Sequence, residues 1–138
     1  MTAVIGTPPS NEPTIRVSTM PADANAYGDI FGGWLMGQMD LAAGLVAARR
    51  AKGRAVTIAM DGMQFHAPVH IGDEVSFFAQ IVKVGRTSMT IAVEAWRRDR
   101  HGEDSCKVTQ ASFTFVAIDE HRRPRAVPEA IADEKREV

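Results

Sequence analysis

The chain has 138 residues, 45% hydrophobic and 24% charged, with sixteen Lys plus Arg against seventeen Asp plus Glu for a formal net charge of -1. This length supports one domain with its own core rather than two, and the composition excludes a disordered or fibrous chain. The near-zero charge lacks the basic footprint of a nucleic-acid binder, and a single Cys106 with no paired Cys/His spacing excludes an internal disulfide and a zinc site.

In chain order, residues 1–12 hold Pro8 and Pro9 and no basic segment followed by an apolar one, so they are expected to be a flexible N-terminal extension and not a leader. No apolar run approaches the roughly 18 residues of a membrane span, and a cytoplasmic protein is expected. The folded domain is expected over 13–125, and residues 126–138, with the run Asp133 to Glu137, form a charged C-terminal tail. Thr14 to Thr19 suits a short strand, and Pro21 to Gly28 suits a loop. A long helix is predicted from about Gly33 to Ala51, with Arg49, Arg50 and Lys52 complementing its negative end and Gly53 as the left-handed residue that stops it. Four β-rich segments follow: Val56–Phe65, Glu74–Val84, Thr87–Arg98 and Ser105–Ile118. Their inward faces alternate as Val75/Phe77/Ala79/Ile81, Met89/Ile91/Val93/Ala95 and Ala111/Phe113/Phe115/Ala117. Gly85 closes one hairpin and Asp99 to Gly102 another, giving an antiparallel meander.

Between Trp34 and Ala48 the only side chains that are neither apolar nor glycine are Gln38 and Asp40. A helix without a polar face belongs inside the molecule, which points to an α+β domain: an antiparallel sheet of about five strands wrapped around one long buried helix. Asp40 is costly there unless it is paired, hydrogen-bonded or protonated. Gly33, Gly37, Asp40 and Gly44 fall on one stripe, whose missing side chains make room around the carboxylate. Close helix packing explains that stripe as well as a site does. Ahead of the helix, Asn25 can hold a water or a carbonyl, and Gly32 and Gly33 let backbone N–H groups approach an oxygen; an ordinary Asx turn explains Asn25 equally.

Met20-Pro21-Ala22-Asp23-Ala24-Asn25, Gly28-Asp29-Ile30-Phe31-Gly32-Gly33-Trp34-Leu35-Met36 and Gln38-Met39-Asp40 together resemble the hotdog-fold acyl-CoA thioesterases. More narrowly, they are similar to the YciA-like group, relatives of the brain-type acyl-CoA hydrolases. The resemblance continues through Val56-Thr57, Met63-Gln64-Phe65, Pro68, Gly72-Asp73, the hairpin Lys83 to Ser88 and Phe113 to Ala117.

It implies hydrolysis of acyl-CoA to free fatty acid and CoA, with Asp40 as general base or nucleophile, Asn25 from the partner protomer, and an oxyanion hole at Gly32 and Gly33. It also implies a homodimer at minimum, assembled as a trimer of dimers, with no cofactor, nucleic-acid or membrane partner. Coenzyme A carries phosphates, and by the same resemblance Lys83, Gly85, Arg86, Thr87 and Ser88 would hold its nucleotide end. A solvated hairpin is the plain alternative.

His66 and Asp61 are read as surface or interface groups; Arg97, Arg98 and Arg100 form a second basic set near the next turn, where strand ends often carry exposed Arg, and are left unassigned. Tyr27, Phe31 and Trp34 suit packing or an acyl pocket, and Cys106 suits a small buried group. Two other readings compete. A hotdog dehydratase or hydratase would need a histidine working with an acid, and no well-placed His precedes the helix. A non-catalytic acyl-CoA binding module could dispense with Asp40 and Asn25.

Overall fold

The computed structural model describes residues 4–130. It contains β1 (Ile5–Gly6), β2 (Ile15–Ser18), a 3-10 turn (Pro21–Asp23), α1 (Gly32–Ala51), β3 (Ala55–Phe65), β4 (Glu74–Val84), β5 (Ser88–Arg98) and β6 (Ser105–Ala117). The strands form one antiparallel sheet in the order β2-β4-β5-β6, with β3 and β1 both pairing β6. The sheet has six strands where five are expected from sequence. The extra one, β1, lies among the residues assigned to the N-terminal extension and pairs Ile5 with Cys106 and Gly6 with Ser105. Two residues carry no readable alternation; they lie against the indole of Trp96, 3.3 Å from where a Cβ on Gly6 would stand.

The inward faces follow the alternation in the sequence. Val75, Phe77, Met89, Ile91, Val93 and Ala95 are fully buried, as is Ala117, and Phe113 and Phe115 are nearly so. β6 changes phase at Val108 and Thr109, both buried, where the register against β5 shifts at Ala95/Trp96. A single extra residue of this kind flips every side chain beyond it to the other face.

α1 lies across this apolar face, but the sheet covers only one side of it. Leu35, Met39, Ala42, Ala43, Ala47 and Ala51 are buried, whereas Leu41 and Leu45 are 58% and 53% exposed. A single sheet covers one face of the helix, and the opposite apolar face stays open. That is why the helix lacks a polar face without being enclosed.

The helix also stops differently from the sequence expectation. Lys52, not Gly53, takes the left-handed conformation, at φ 57°. Gly53 meets a different neighbour: a Cβ there would stand 2.7 Å from Nη2 of Arg125, so the guanidinium would have to shift. That guanidinium donates to the carbonyls of Ala51 (2.8 Å) and Ile118 (3.0 Å), closing the carbonyl end of the helix with a cation.

Candidate active site

Asp40 sits in the third turn of α1, partly buried, and its Oδ1 accepts a 2.6 Å hydrogen bond from Oγ1 of Thr57 on β3. Thr57 pairs with Phe115 and Phe115 with Met89, so all three side chains share the helix-facing side of the sheet. Around the carboxylate is an apolar depression lined by Ile15, Leu41, Gly44, Leu45, Ala48 and Phe115, among others. No histidine lines it. The glycine stripe faces two ways: a Cβ on Gly33 or Gly37 would meet nothing within 4 Å, whereas one on Gly44 would stand 3.6 Å from the Phe115 ring. Gly44 thus lies against the Phe115 ring at ordinary contact distance, and Gly33 and Gly37 face open space.

Asn25 forms the Asx turn that its residue type allows. Its Oδ1 accepts the N–H groups of Tyr27 (2.8 Å) and Asp29 (3.1 Å), and its own N–H donates to the Asp29 carbonyl at 2.7 Å. The carboxamide oxygen is spent on the loop; the Nδ2 donor takes no acceptor among the described residues. Further hydrogen bonds anchor the loop, from Phe31 N–H to the Asp23 carbonyl (3.0 Å) and from Ile30 N–H to the Val69 carbonyl (2.9 Å). Beside it, Nδ1 of His70 lies 3.4 Å from a carboxylate oxygen of Asp29. At the start of α1 no side chain caps the helix, and the N–H groups of Gly32 and Gly33 have no acceptor among the described residues. The ring of Phe65 would lie 3.2 Å from a Cβ on Gly32, a tight contact that a side chain there would make by pushing the ring aside.

Within one chain these two halves stay apart. Seven residues of helix separate Gly33 from Asp40, about 10 Å along the axis at the usual helical rise. Asn25, Gly32 and Gly33 stand at one end of α1, while Asp40 lies beside the opposite end of the sheet.

The hairpin Lys83, Gly85, Arg86, Thr87 and Ser88 falls at that same end. Ser88 pairs with Val116 and Val116 with Val56, the neighbour of Thr57, so the hairpin stands two strand spacings, about 10 Å, from the Asp40 partner. Gly85 N–H donates to the Ser88 carbonyl at 2.7 Å, and a Cβ on Gly85 would meet Oγ of Ser88 at 2.9 Å. Lys83 and Arg86 are exposed, and among the described residues no carboxylate lies within ion-pair distance of either.

The other arginines are engaged elsewhere. Arg98 donates to Glu74 at 2.8 Å, Arg100 to the Gly72 carbonyl at 3.0 Å and to Ser18, and Arg97 lies 3.9 Å from Asp73. Cys106 is buried; His66 and Asp61 are exposed; Tyr27 is 90% exposed; Trp34 packs on Phe77 with ring centroids 6.3 Å apart. Among the described residues no group of His, Cys, Asp or Glu is arranged to hold a metal ion, and no helix is long and apolar enough to cross a membrane. Thr57 is the functional candidate that residue-type reasoning misses. A threonine in a strand carries no local signal, and its importance lies in which helix turn the sheet presents to it.

One long helix laid on an antiparallel sheet, with a hydroxyl-anchored carboxylate between them, defines a hotdog-fold protein. Residues 27–103, more than half the chain, match the thioesterase superfamily, and the chain belongs to it. It is 62% identical over 120 residues to an uncharacterized acyl-CoA thioester hydrolase of Zymomonas mobilis, covering 87% of this chain and 80% of that protein. To the acyl-CoA thioester hydrolase YciA of Escherichia coli it is 44% identical over 123 residues, covering 87% and 93% of the two chains. The crystal structure of a hexameric broad-specificity acyl-coenzyme A thioesterase superposes with a TM-score of 0.85 at 41% identity, covering 94% of this chain and 90% of the other. The resemblance to the YciA-like thioesterases carried by the loop-to-helix block is borne out.

Proposed function

We propose that this protein hydrolyses acyl-CoA thioesters to a carboxylic acid and free coenzyme A, in the cytoplasm, with Asp40 as its reactive carboxylate. The observation that carries the reading is the pairing of Asp40 with Thr57 in an apolar depression open to solvent. The hydroxyl holds Oδ1 and leaves Oδ2 free, either to take a proton from water attacking the thioester carbonyl or to attack that carbonyl itself. In the first route the water oxygen bonds to the acyl carbon and the C–S bond breaks, the thiolate leaving with a proton. In the second, an Asp40 acyl anhydride forms with loss of the thiolate and is then hydrolysed.

The oxyanion needs donors, and the unpartnered N–H groups of Gly32 and Gly33, with Nδ2 of Asn25, are of the right kind. Their distance from Asp40 along one helix exceeds hydrogen-bond reach several times over, so the working site takes them from a second copy whose helix runs antiparallel to the first. The exposed apolar face of α1, with Leu41 and Leu45, and the open outer edge of β3 support such a homodimer. Three dimers making a hexamer is the assembly in keeping with the solved relative. Lys83 and Arg86 bind the phosphates of coenzyme A, with Gly85, Thr87 and Ser88 shaping the turn.

Thiol release measured across saturated acyl-CoAs from acetyl to palmitoyl, after EDTA treatment, tests the reading. Turnover of at least part of the panel is expected, with Asp40→Asn reducing kcat by about 100- to 10,000-fold at unchanged melting temperature. No release from any member would remove the thioesterase assignment, and near-native kcat in Asp40→Asn would move the chemistry to another group.

A further inference from the structure

The chain beyond β6 turns back across the molecule and touches both halves of the site-bearing framework. Ile118 pairs with Pro124 around a turn in which Asp119 Oδ1 accepts the N–H groups of His121 (2.8 Å) and Arg123 (2.9 Å). Arg125 N–H then donates to the Ala117 carbonyl at 2.9 Å, while its guanidinium holds the carbonyls of Ala51 and Ile118. Arg50, on the last turn of α1, donates to the Pro128 carbonyl. Between these anchors Val127 packs against the core and its N–H donates to the carbonyl of Arg86 at 2.8 Å.

We infer that residues 119–128 are a strap that positions the Lys83–Ser88 hairpin for the phosphates of coenzyme A, with Arg125 as its anchor and the Val127 N–H as its contact with Arg86. The hairpin is held at its base by the strand pairs Lys83–Thr90, Val84–Met89 and Ser88–Val116, by the Gly85–Ser88 turn bond and by Ala117 N–H to the Thr87 carbonyl (2.9 Å). Lys83 and Arg86 have no ion-pair partner among the described residues, and at the tip it is the Val127 N–H that bonds the Arg86 backbone. A two-strand turn carrying two long cationic side chains loses much conformational freedom when it binds an anion. Fixing the Arg86 backbone beforehand reduces that loss. In its present position the Arg125 guanidinium uses the space that Gly53 leaves, since a Cβ there would stand 2.7 Å from Nη2. Helix capping alone would be served by Arg125; it does not require the chain to continue to Arg86.

This inference rests on the reading of the hairpin as the nucleotide site, so the experiment separates the two. Kinetics are measured with an acyl-CoA and with the corresponding acyl-pantetheine, which keeps the thioester and lacks the nucleotide. Lys83→Ala/Arg86→Ala tests the site itself. Val127→Pro removes the N–H donor while leaving the helix cap in place, and Arg125→Met removes the anchor.

For each strap variant KM for acyl-CoA should rise roughly three- to tenfold, the order expected for one lost hydrogen bond, with kcat/KM for acyl-pantetheine unchanged. Equal losses on both substrates would mean that the strap supports the fold or Asp40 and not the hairpin, and would overturn the inference. Unchanged KM in both strap variants beside a raised KM in the Lys83→Ala/Arg86→Ala protein would overturn it while sparing the nucleotide site. Unchanged KM in the Lys83→Ala/Arg86→Ala protein would remove the site and the strap's role with it.

Discussion

Thr57 and Asp40, seventeen residues apart on consecutive elements, meet through one 2.6 Å hydrogen bond. A hydroxyl donating to a carboxylate fixes which oxygen faces the depression and at what angle, so its loss should be felt in turnover more than in binding. Thr57→Val, close to isosteric, is expected to lower kcat roughly tenfold with little change in KM, the order of a hydrogen bond to a charged group. Thr57→Ser should recover most of the loss because it restores the donor. Steady-state kinetics on the three proteins checks this, and equal kcat in all of them would leave the hydroxyl with a structural role only.

At the scale of elements, α1 carries two different faces. One packs Leu35, Met39, Ala42, Ala43 and Ala47 on the sheet; the other presents Gly33, Gly37, Leu41 and Leu45 outward. Gly37 tests the second face cleanly, because an added side chain meets nothing within the chain and leucine improves on glycine in a helix by about 1 kcal/mol. The Gly37→Leu protomer should therefore keep its secondary structure by circular dichroism while activity falls and sedimentation velocity shows smaller species. Native assembly and activity in Gly37→Leu would show that this face meets no partner.

The same helix illustrates what pattern can and cannot say. Its span and its lack of a polar face are legible because apolar and small residues, broken only by Gln38 and Asp40, run from Trp34 to Ala48, and the hairpins are legible because Gly85 and Asp99 have the chemistry their turns need. Its stopping residue is misplaced by one. Arg125, distant in sequence, occupies the space next to Gly53, and the left-handed step falls on Lys52.

For the whole molecule, the separation that matters to the proposed mechanism is that between Asp40 and the Gly32/Gly33 N–H groups, about 10 Å along one helix. If each working site takes Asp40 from one protomer and Asn25 from its partner, two inactive proteins should complement. Co-refolding Asn25→Ala with Asp40→Asn yields heterodimers in which one site keeps both native groups and the other keeps neither. Activity in the mixture should exceed that of either parent and approach half of the native value per heterodimer. Verified heterodimers no more active than their parents would place both groups in the same-chain site, or show that one of them takes no part.

By itself the sequence determined the chemical cast and all elements but the two-residue β1: the other strands, the long helix, the carboxylate lodged among glycines, and the Asn25 loop that leads into the helix. These are properties of local spacing and residue type, which act over one or two turns or one strand. Only the tertiary structure decided that Thr57 faces Asp40, that Asn25 spends its oxygen on its own loop, that Arg125 and Val127 tie the last segment to the helix end and to Arg86, and that one face of the helix stays open. Each of these depends on sheet register and on which residues distant in sequence share a face. A one-residue shift in pairing would undo the alignment of Thr57 without any change in local pattern.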